Sequence, residues 1–229
     1  MVQKFRSLFI ALIAIVLVIP AQAQEEKEEG FTFGGAVRYN IISESYESNP
    51  TTLNTKATWD TWRLNVDGSK AGVDLSFEYR FYPTFGTHFI HHGYLGYNLS
   101  DDLYMKLGVL QKPFGITKYA SHSWWFQGQY YVGLEDDYDM GIGFDYALGD
   151  KGEIQLAYFR QAEPEGPIYG GDVTFGNAGA GRYSYDITAG NNYSAGAYDY
   201  KESIRELNTV NARVAYEVID GLEVGGSAQ

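Results

Sequence analysis

Cysteine is absent from the chain. That excludes disulfide staples, thiol nucleophiles and cysteine-based zinc sites. Proline is scarce, at 6 of 229 residues, and basic residues are outnumbered, 17 against 29 acidic ones. Nucleic acid is therefore excluded as an expected partner, because its binding rests on clustered Lys and Arg. Beyond residue 23 no apolar run reaches the length of a membrane-crossing helix, which takes roughly 20 residues. What is plentiful is Tyr (20), Phe (13) and Gly (27). Long β-strands favour the aromatic residues, and their turns favour glycine.

The first 23 residues have an export pattern. Lys4 and Arg6 precede an apolar run over residues 8–19, followed by Pro20 and the small-x-small site Ala21-Gln22-Ala23. The run is shorter than a single-pass anchor requires and the site follows at once, so a cleaved signal peptide over residues 1–23 is expected. Removing Lys4 and Arg6 with it leaves 15 basic residues against the 29 acidic ones, a formal charge of −14.

The remaining residues, 24–229, alternate in a period of two. In residues 73–82 Val73, Leu75, Phe77, Tyr79 and Phe81 alternate with Asp74, Ser76, Glu78, Arg80 and Tyr82. One face is apolar and the other ionic. The pattern recurs in residues 31–41, 61–67, 103–112, 138–146 and 210–218, where Arg38, Arg63, Lys106, Lys112, Asp139, Asp145, Arg213 and Glu217 take the polar side. Residues 89–99 are apolar or aromatic on both faces, and Phe159 breaks the polar side of 154–159. Soluble sandwiches show the same period but use strands of about 5–6 residues. Several segments here run to the roughly 9–11 residues with which a tilted strand crosses a bilayer.

The connections alternate in length. Residues 67–70, 100–102, 149–152 and 220–221 are compact turns of Asp, Gly, Ser and Lys, whereas 43–56, 113–137 and 161–206 are long and 83–87 intermediate. Short periplasmic turns and longer outer loops distinguish outer-membrane barrels. The expected fold is all-β, a transmembrane antiparallel up-and-down β-barrel, with aromatic residues such as Tyr39, Phe81, Tyr97, Tyr138 and Tyr146 in its interfacial girdles. Its apolar face would meet lipid. Arg38, Arg63, Asp74, Glu78, Arg80, Lys106, Lys112, Asp139, Asp145 and Arg213 would line the lumen.

Residues 105–112 lead into Pro113-Phe114-Gly115, then a long loop, then Asp139-Met140-Gly141. Together with Trp62-Arg63-Leu64-Asn65-Val66-Asp67-Gly68 and Phe77-Glu78-Tyr79-Arg80, this order resembles the phosphate-selective porin O/P family over most of the mature chain. The resemblance implies a sixteen-stranded outer-membrane porin whose third outer loop folds inward to constrict a water-filled channel. That loop carries Lys118, Trp124, Trp125, Phe126, Tyr130 and Tyr131. An aromatic cluster of this size is costly to leave in water, so it is expected either to pack against the inner wall or to form a lid or subunit contact. The wall departs from the family: phosphate selectivity needs a cationic track, and here the charges are mixed, so that preference is not carried over. Opposed charges would orient polar solutes, or simply pair across strands.

Other chemistry is weaker. On a regular strand His88 and His92 share a face and His91 points away, so no three-ligand metal site is expected. The run Glu135-Asp136-Asp137 lacks the spacing of a calcium loop. Ser121-His122-Ser123 is the only cue for an outer-membrane barrel enzyme, and adjacent residues rarely make a nucleophile–base pair. A non-conducting adhesin or assembly barrel is the third class. Residues 170–181 are glycine-rich and read as a mobile surface loop. The expected partners are outer-membrane lipid and small polar or ionic solutes, with a homotrimer as the candidate oligomer and no cofactor; the expected location is the bacterial outer membrane. Residues 222–229 start a ninth strand and do not end in an aromatic residue. Eight strands and a beginning predict the N-terminal half of a 16-stranded barrel, since single-chain barrels normally have an even count.

Overall fold

Strand-forming side chains on a strict two-residue period produce hairpins wherever a turn allows reversal, and the computed structural model consists of such hairpins in series. It describes residues 29–43, 55–83, 86–117, 130, 133–164, 166, 181–184, 193–194, 197–198 and 207–229. The expected signal lies outside them. The strands are β1 (Gly30–Ser43), β2 (Thr55–Lys70), β3 (Val73–Tyr82), β4 (Thr87–Asn98), β5 (Leu103–Gln111), β6 (Tyr138–Ala147), β7 (Gly152–Ala162), β8 (Tyr193–Ser194), β9 (Ala197–Tyr198), β10 (Thr209–Ile219) and β11 (Leu222–Ala228). Nine of them form one antiparallel up-and-down sheet in the order β1-β2-β3-β4-β5-β6-β7-β10-β11, and the two-residue β8 and β9 pair with each other. All nine expected strands are present in the expected order. Among the described residues β1 and β11 are the two edges and do not pair with each other, so the sheet is open.

The compact turns behave as their residues require, with one shift. Asp67, Gly68, Ser69 and Lys70 are paired with β3, and the reversal falls on Ala71-Gly72, with φ of 52° and 77°. Two left-handed residues in a row suit the twist of a tight hairpin, and the Glu29 carboxylate accepts the Ala71 N–H at 2.9 Å.

The two faces of the sheet are inverted relative to a water-soluble protein. Many of its large apolar side chains are exposed: Phe33 is 77% exposed, Ile41 79%, Leu107 56%, Leu156 50% and Val224 55%. Register places them on one side, since Phe33 faces Val66, Leu95 faces Leu107, Phe144 faces Leu156 and Tyr216 faces Val224. The opposite face buries charge, including Glu78, Arg80, Lys112, Asp139 and Arg213. Two small apolar clusters sit among these groups, Tyr82 with Phe89 and Tyr183, and Leu110 with Ala157 and Phe159. Phe159 therefore fills a gap on the polar side. Gly141 and Gly143 lie opposite it and Ala157 in the ladder, leaving room for that ring and for Leu110.

Register shifts explain where alternation misleads. A shift between Arg38 and Tyr39 pairs Tyr39 with Trp59 and Val37 with Trp62, so both tryptophans reach the apolar face although they are three residues apart. Another in the β3–β4 pair sets Glu78 against His92 and Tyr79 against Ile90, leaving His91 as the extra residue. An extra residue in a strand changes which face the following side chains take.

Candidate functional site: the ionic face of the sheet

Every residue expected to line a lumen belongs to this one face. Its charges are arranged as partners. Arg38 approaches Asp60 at 3.7 Å, Lys106 meets Asp145 at 2.6 Å, and Arg80 bonds Glu78, which also accepts from Asn65 at 2.7 Å. Arg63 stands directly opposite Arg80 in the ladder, and Glu78 lies on the diagonal, opposite Asn65. Like charges placed across a pair repel, so the carboxylate beside them is the compensation the sheet needs. Asp74 accepts from the Tyr104 hydroxyl at 3.0 Å across the intervening strand β4. The ring can cross because position 96 is glycine: a Cβ there would lie 1.8 Å from the Tyr104 oxygen.

Two assemblies tie the loops down. Lys112, just past β5, places its ammonium 2.6 Å from Asp137 and 2.9 Å from Asp139, all three with side chains at most 1% exposed. Burial pushes the Asp137 carboxyl well above the usual carboxylate range, the Lys112 ammonium pulls it back, and Asp139 beside it pushes it further up. Burial alone would lower the Lys112 pKa, but the two carboxylates raise it. The chain then turns across the face. At Gly115 the carbonyl accepts from Arg213 at 3.0 Å and the N–H donates to Ser227 at 3.1 Å, so residues after β5 reach β10 and β11. Arg213 also bonds Glu153, Gln155 and Glu223.

The second assembly lies at the long-loop end. Tyr183 is 8% exposed and holds its ring 4.5 Å from the Arg80 guanidinium and 4.2 Å from His91. Its hydroxyl donates to Asp136, and its carbonyl accepts from Tyr130 at 2.8 Å. Ser184 donates to Glu163 at 2.7 Å, which also pairs with Arg182. Burial raises both the Asp136 carboxyl and the Tyr183 phenol above their ordinary values; their mutual hydrogen bond opposes the first shift, and the Asp136 charge adds to the second.

These contacts revise several readings. Residues 170–180 of the glycine-rich stretch read as a mobile surface loop lie outside the described residues; just past it Tyr183 and Ser184 are buried against the sheet. Tyr138, expected in an aromatic girdle, packs its ring 4.3 Å from His91 instead. His91 and His92 both face the polar side, their Nδ1 atoms 2.9 Å apart, while His88 lies opposite Phe81 and hydrogen-bonds Tyr79 on the apolar side. Of the expected constricting side chains Tyr130 is half-buried against Tyr183. Lys118, Trp124, Trp125, Phe126 and Tyr131 lie outside the described residues, as does Ser121-His122-Ser123. Sequence reasoning missed Glu153, Glu163, Tyr183 and Glu223. Only the acidic character of the two strand residues gave any signal for them.

No protein-family model matches this chain, and no curated protein matches it either.

Proposed function

We propose that this sheet is a section of the wall of an outer-membrane β-barrel, and that the protein is a porin of the phosphate-selective porin O/P type in architecture. The observation that carries the reading is the inversion of the faces: a continuous exposed apolar band against a buried, ion-paired face. A soluble monomer rarely leaves an apolar patch larger than a few hundred Å² in water, whereas lipid rewards one. The nine-strand meander, the alternation of short and long connections and the export pattern of residues 1–23 all support the same placement. In lipid the open edges at β1 and β11 must be met by further strands, because unpaired backbone groups there cost several kcal/mol each. Sixteen strands is the count the resemblance implies.

The ionic face then lines a water-filled path for small polar or ionic solutes. Its pairing keeps the wall hydrated and fixed in shape, and leaves no continuous cationic track to favour phosphate. The segment at Gly115, held by Arg213 and Ser227, starts the third outer loop across the lumen side, which supports a constricting role for that loop. No chemical step is assigned to the protein.

Purified protein in planar lipid bilayers tests this reading. Stepwise currents that scale with salt concentration are expected, and a closed membrane at all voltages would reject the porin in favour of an adhesin or assembly barrel. Deleting residues 121–133 is expected to enlarge each step; unchanged steps would remove the constricting role while leaving the channel.

A further inference from the structure

Lys112 and Asp137 continue the β5–β6 ladder by one step. Leu110 lies opposite Asp139 and Gln111 opposite Tyr138, and beyond that register the Lys112 N–H donates to the Asp137 carbonyl at 2.7 Å. Lys112 and Asp137 are therefore direct cross-strand neighbours, with Asp139 on the diagonal. Backbone pairing brings the two side chains together before their charges act. The Lys112 Nζ then lies 2.6 Å from an Asp137 carboxylate oxygen and 2.9 Å from one of Asp139. A nitrogen in hydrogen-bond contact with a carboxylate oxygen is about 3–3.5 Å from the carboxyl carbon, the separation of a near-attack pair.

The surroundings suit condensation. None of the three side chains is more than 1% exposed, so the water that drives the reverse reaction is kept out. The Phe159 ring stands 6.0 Å from the ammonium, in the apolar cluster it forms with Leu110 and Ala157. Enclosing ions there is costly, whereas an amide carries no charge. Burial raises the Asp137 carboxyl well above the usual aspartate range, which gives it a hydroxyl to lose. The two carboxylates raise Lys112 as well, so solvent does not take its proton near neutral pH and a base inside the site has to. Asp139 is in contact with that ammonium.

We infer that Lys112 and Asp137 condense to an intramolecular amide, with Asp139 carrying the protons. Asp139 takes one proton from the ammonium, and the freed lone pair on Nζ attacks Cγ of the protonated Asp137. Asp139 then hands its proton to the departing carboxyl hydroxyl and takes one from the nitrogen in return. One N–C bond forms, one C–O bond breaks and one water leaves; no oxidant or activated co-reactant enters. The product closes residues 112–137 into a covalent ring at the root of the long β5–β6 connection. In a chain without cysteine it supplies the kind of staple that a disulfide gives elsewhere, fixing where that connection leaves and rejoins the sheet. Chains that have not reacted keep the ion pair and its dependence on pH. This chemistry is independent of any channel.

Peptide mapping of the full-length protein, purified folded and then denatured, tests it. Trypsin leaves residues 107–118 and 119–151 as separate peptides, because Lys112 precedes Pro113. Tandem mass spectrometry is expected to find them joined, one water lighter than their sum, with the link at Lys112 and Asp137. Lys112→Arg and Asp137→Ala are expected to return the two peptides unlinked. In a refolding time course Asp139→Asn is expected to slow the appearance of the joined species by about a hundredfold, and an unchanged rate overturns its role as proton carrier. Wild-type chain held unfolded in urea is expected to form no link. Two separate peptides from the folded wild type, with no joined species, overturn the inference whatever the variants do.

Discussion

Replacing Lys112 with Met tests whether the buried charges behave as a unit. The ammonium sits 2.6 Å from Asp137 and 2.9 Å from Asp139 with none of the three side chains more than 1% exposed, so the variant leaves two carboxylates enclosed without their cation. Removing one partner from a buried ion pair typically costs about 3–5 kcal/mol. Methionine fills similar volume beside the Phe159 ring, which lies 6.0 Å from the ammonium, so little of the loss is packing. The dependence on pH has a definite sign. Folding raises the Asp137 pKa, so above the ordinary aspartate range the folded chain keeps a proton that the unfolded chain releases. Stability from this group is therefore greatest on the acid side and declines as pH rises through the folded value. Lys112 contributes in the alkaline range: its contribution is complete below the ordinary lysine value and is lost as pH rises through its raised folded one. In Lys112→Met the Asp137 carboxyl protonates still more readily, so a loss of about 3–5 kcal/mol at pH 7.5 is expected to shrink at pH 5. Urea unfolding in lipid bilayers, followed by tryptophan fluorescence at both pH values, measures it, with Lys112→Arg as the charge-retaining control. A loss below about 1 kcal/mol, or one that grows on acidification, refutes the argument.

Leu107→Arg places a cation on the exposed apolar face. Lipid contact predicts a cost of about 2–4 kcal/mol in bilayer refolding, whereas an exposed site in water would stay within about 0.5 kcal/mol. Gly108→Ala is expected to destabilise by about 1–3 kcal/mol in the same unfolding assay, because φ there is 144° and a Cβ would lie 2.2 Å from the Gly93 carbonyl oxygen. Tyr183→Ala should widen the path at the long-loop end and raise single-channel conductance. Tyr183→Phe, which loses only the hydroxyl bond to Asp136, should leave conductance near wild type and cost about 1 kcal/mol in stability.

The strands were legible because their period is strict and their turns are chemically marked. Val73 to Tyr82 reads off the sequence with the bounds that β3 has. What was not legible depends on residues that leave no local mark. The extra residue at His91 carries neither glycine nor proline to signal it, yet it reverses the faces of His88 and His91. The meeting of Lys112 with Asp137 and Asp139 needs the β5–β6 register, and a connection as long as 113–137 does not set one. Tyr183 lies in a stretch whose composition suits solvent. Only the pocket made by Arg80, His91, Tyr138 and Asp136, from three separate segments, gives its ring a reason to turn inward.

The meander also sets how long a loop each strand pairing has to close. From β1 to β7 each strand pairs with its neighbour in sequence, across the long β1–β2 and β5–β6 connections as well as the short turns. The β7–β10 pair is the exception, since its ends must first be gathered across residues 163–208. Closing a flexible loop grows costlier with length, by roughly 0.6 kcal/mol for each doubling. The Glu163–Ser184 bonds and the Gly166 N–H to Gly181 carbonyl contact at 2.6 Å pinch that connection near its start. Once they form, β10 is delivered to the edge of β7 by a shorter tether. The same residues that fill the long-loop end of the face thus shorten the tether to the β10–β11 hairpin.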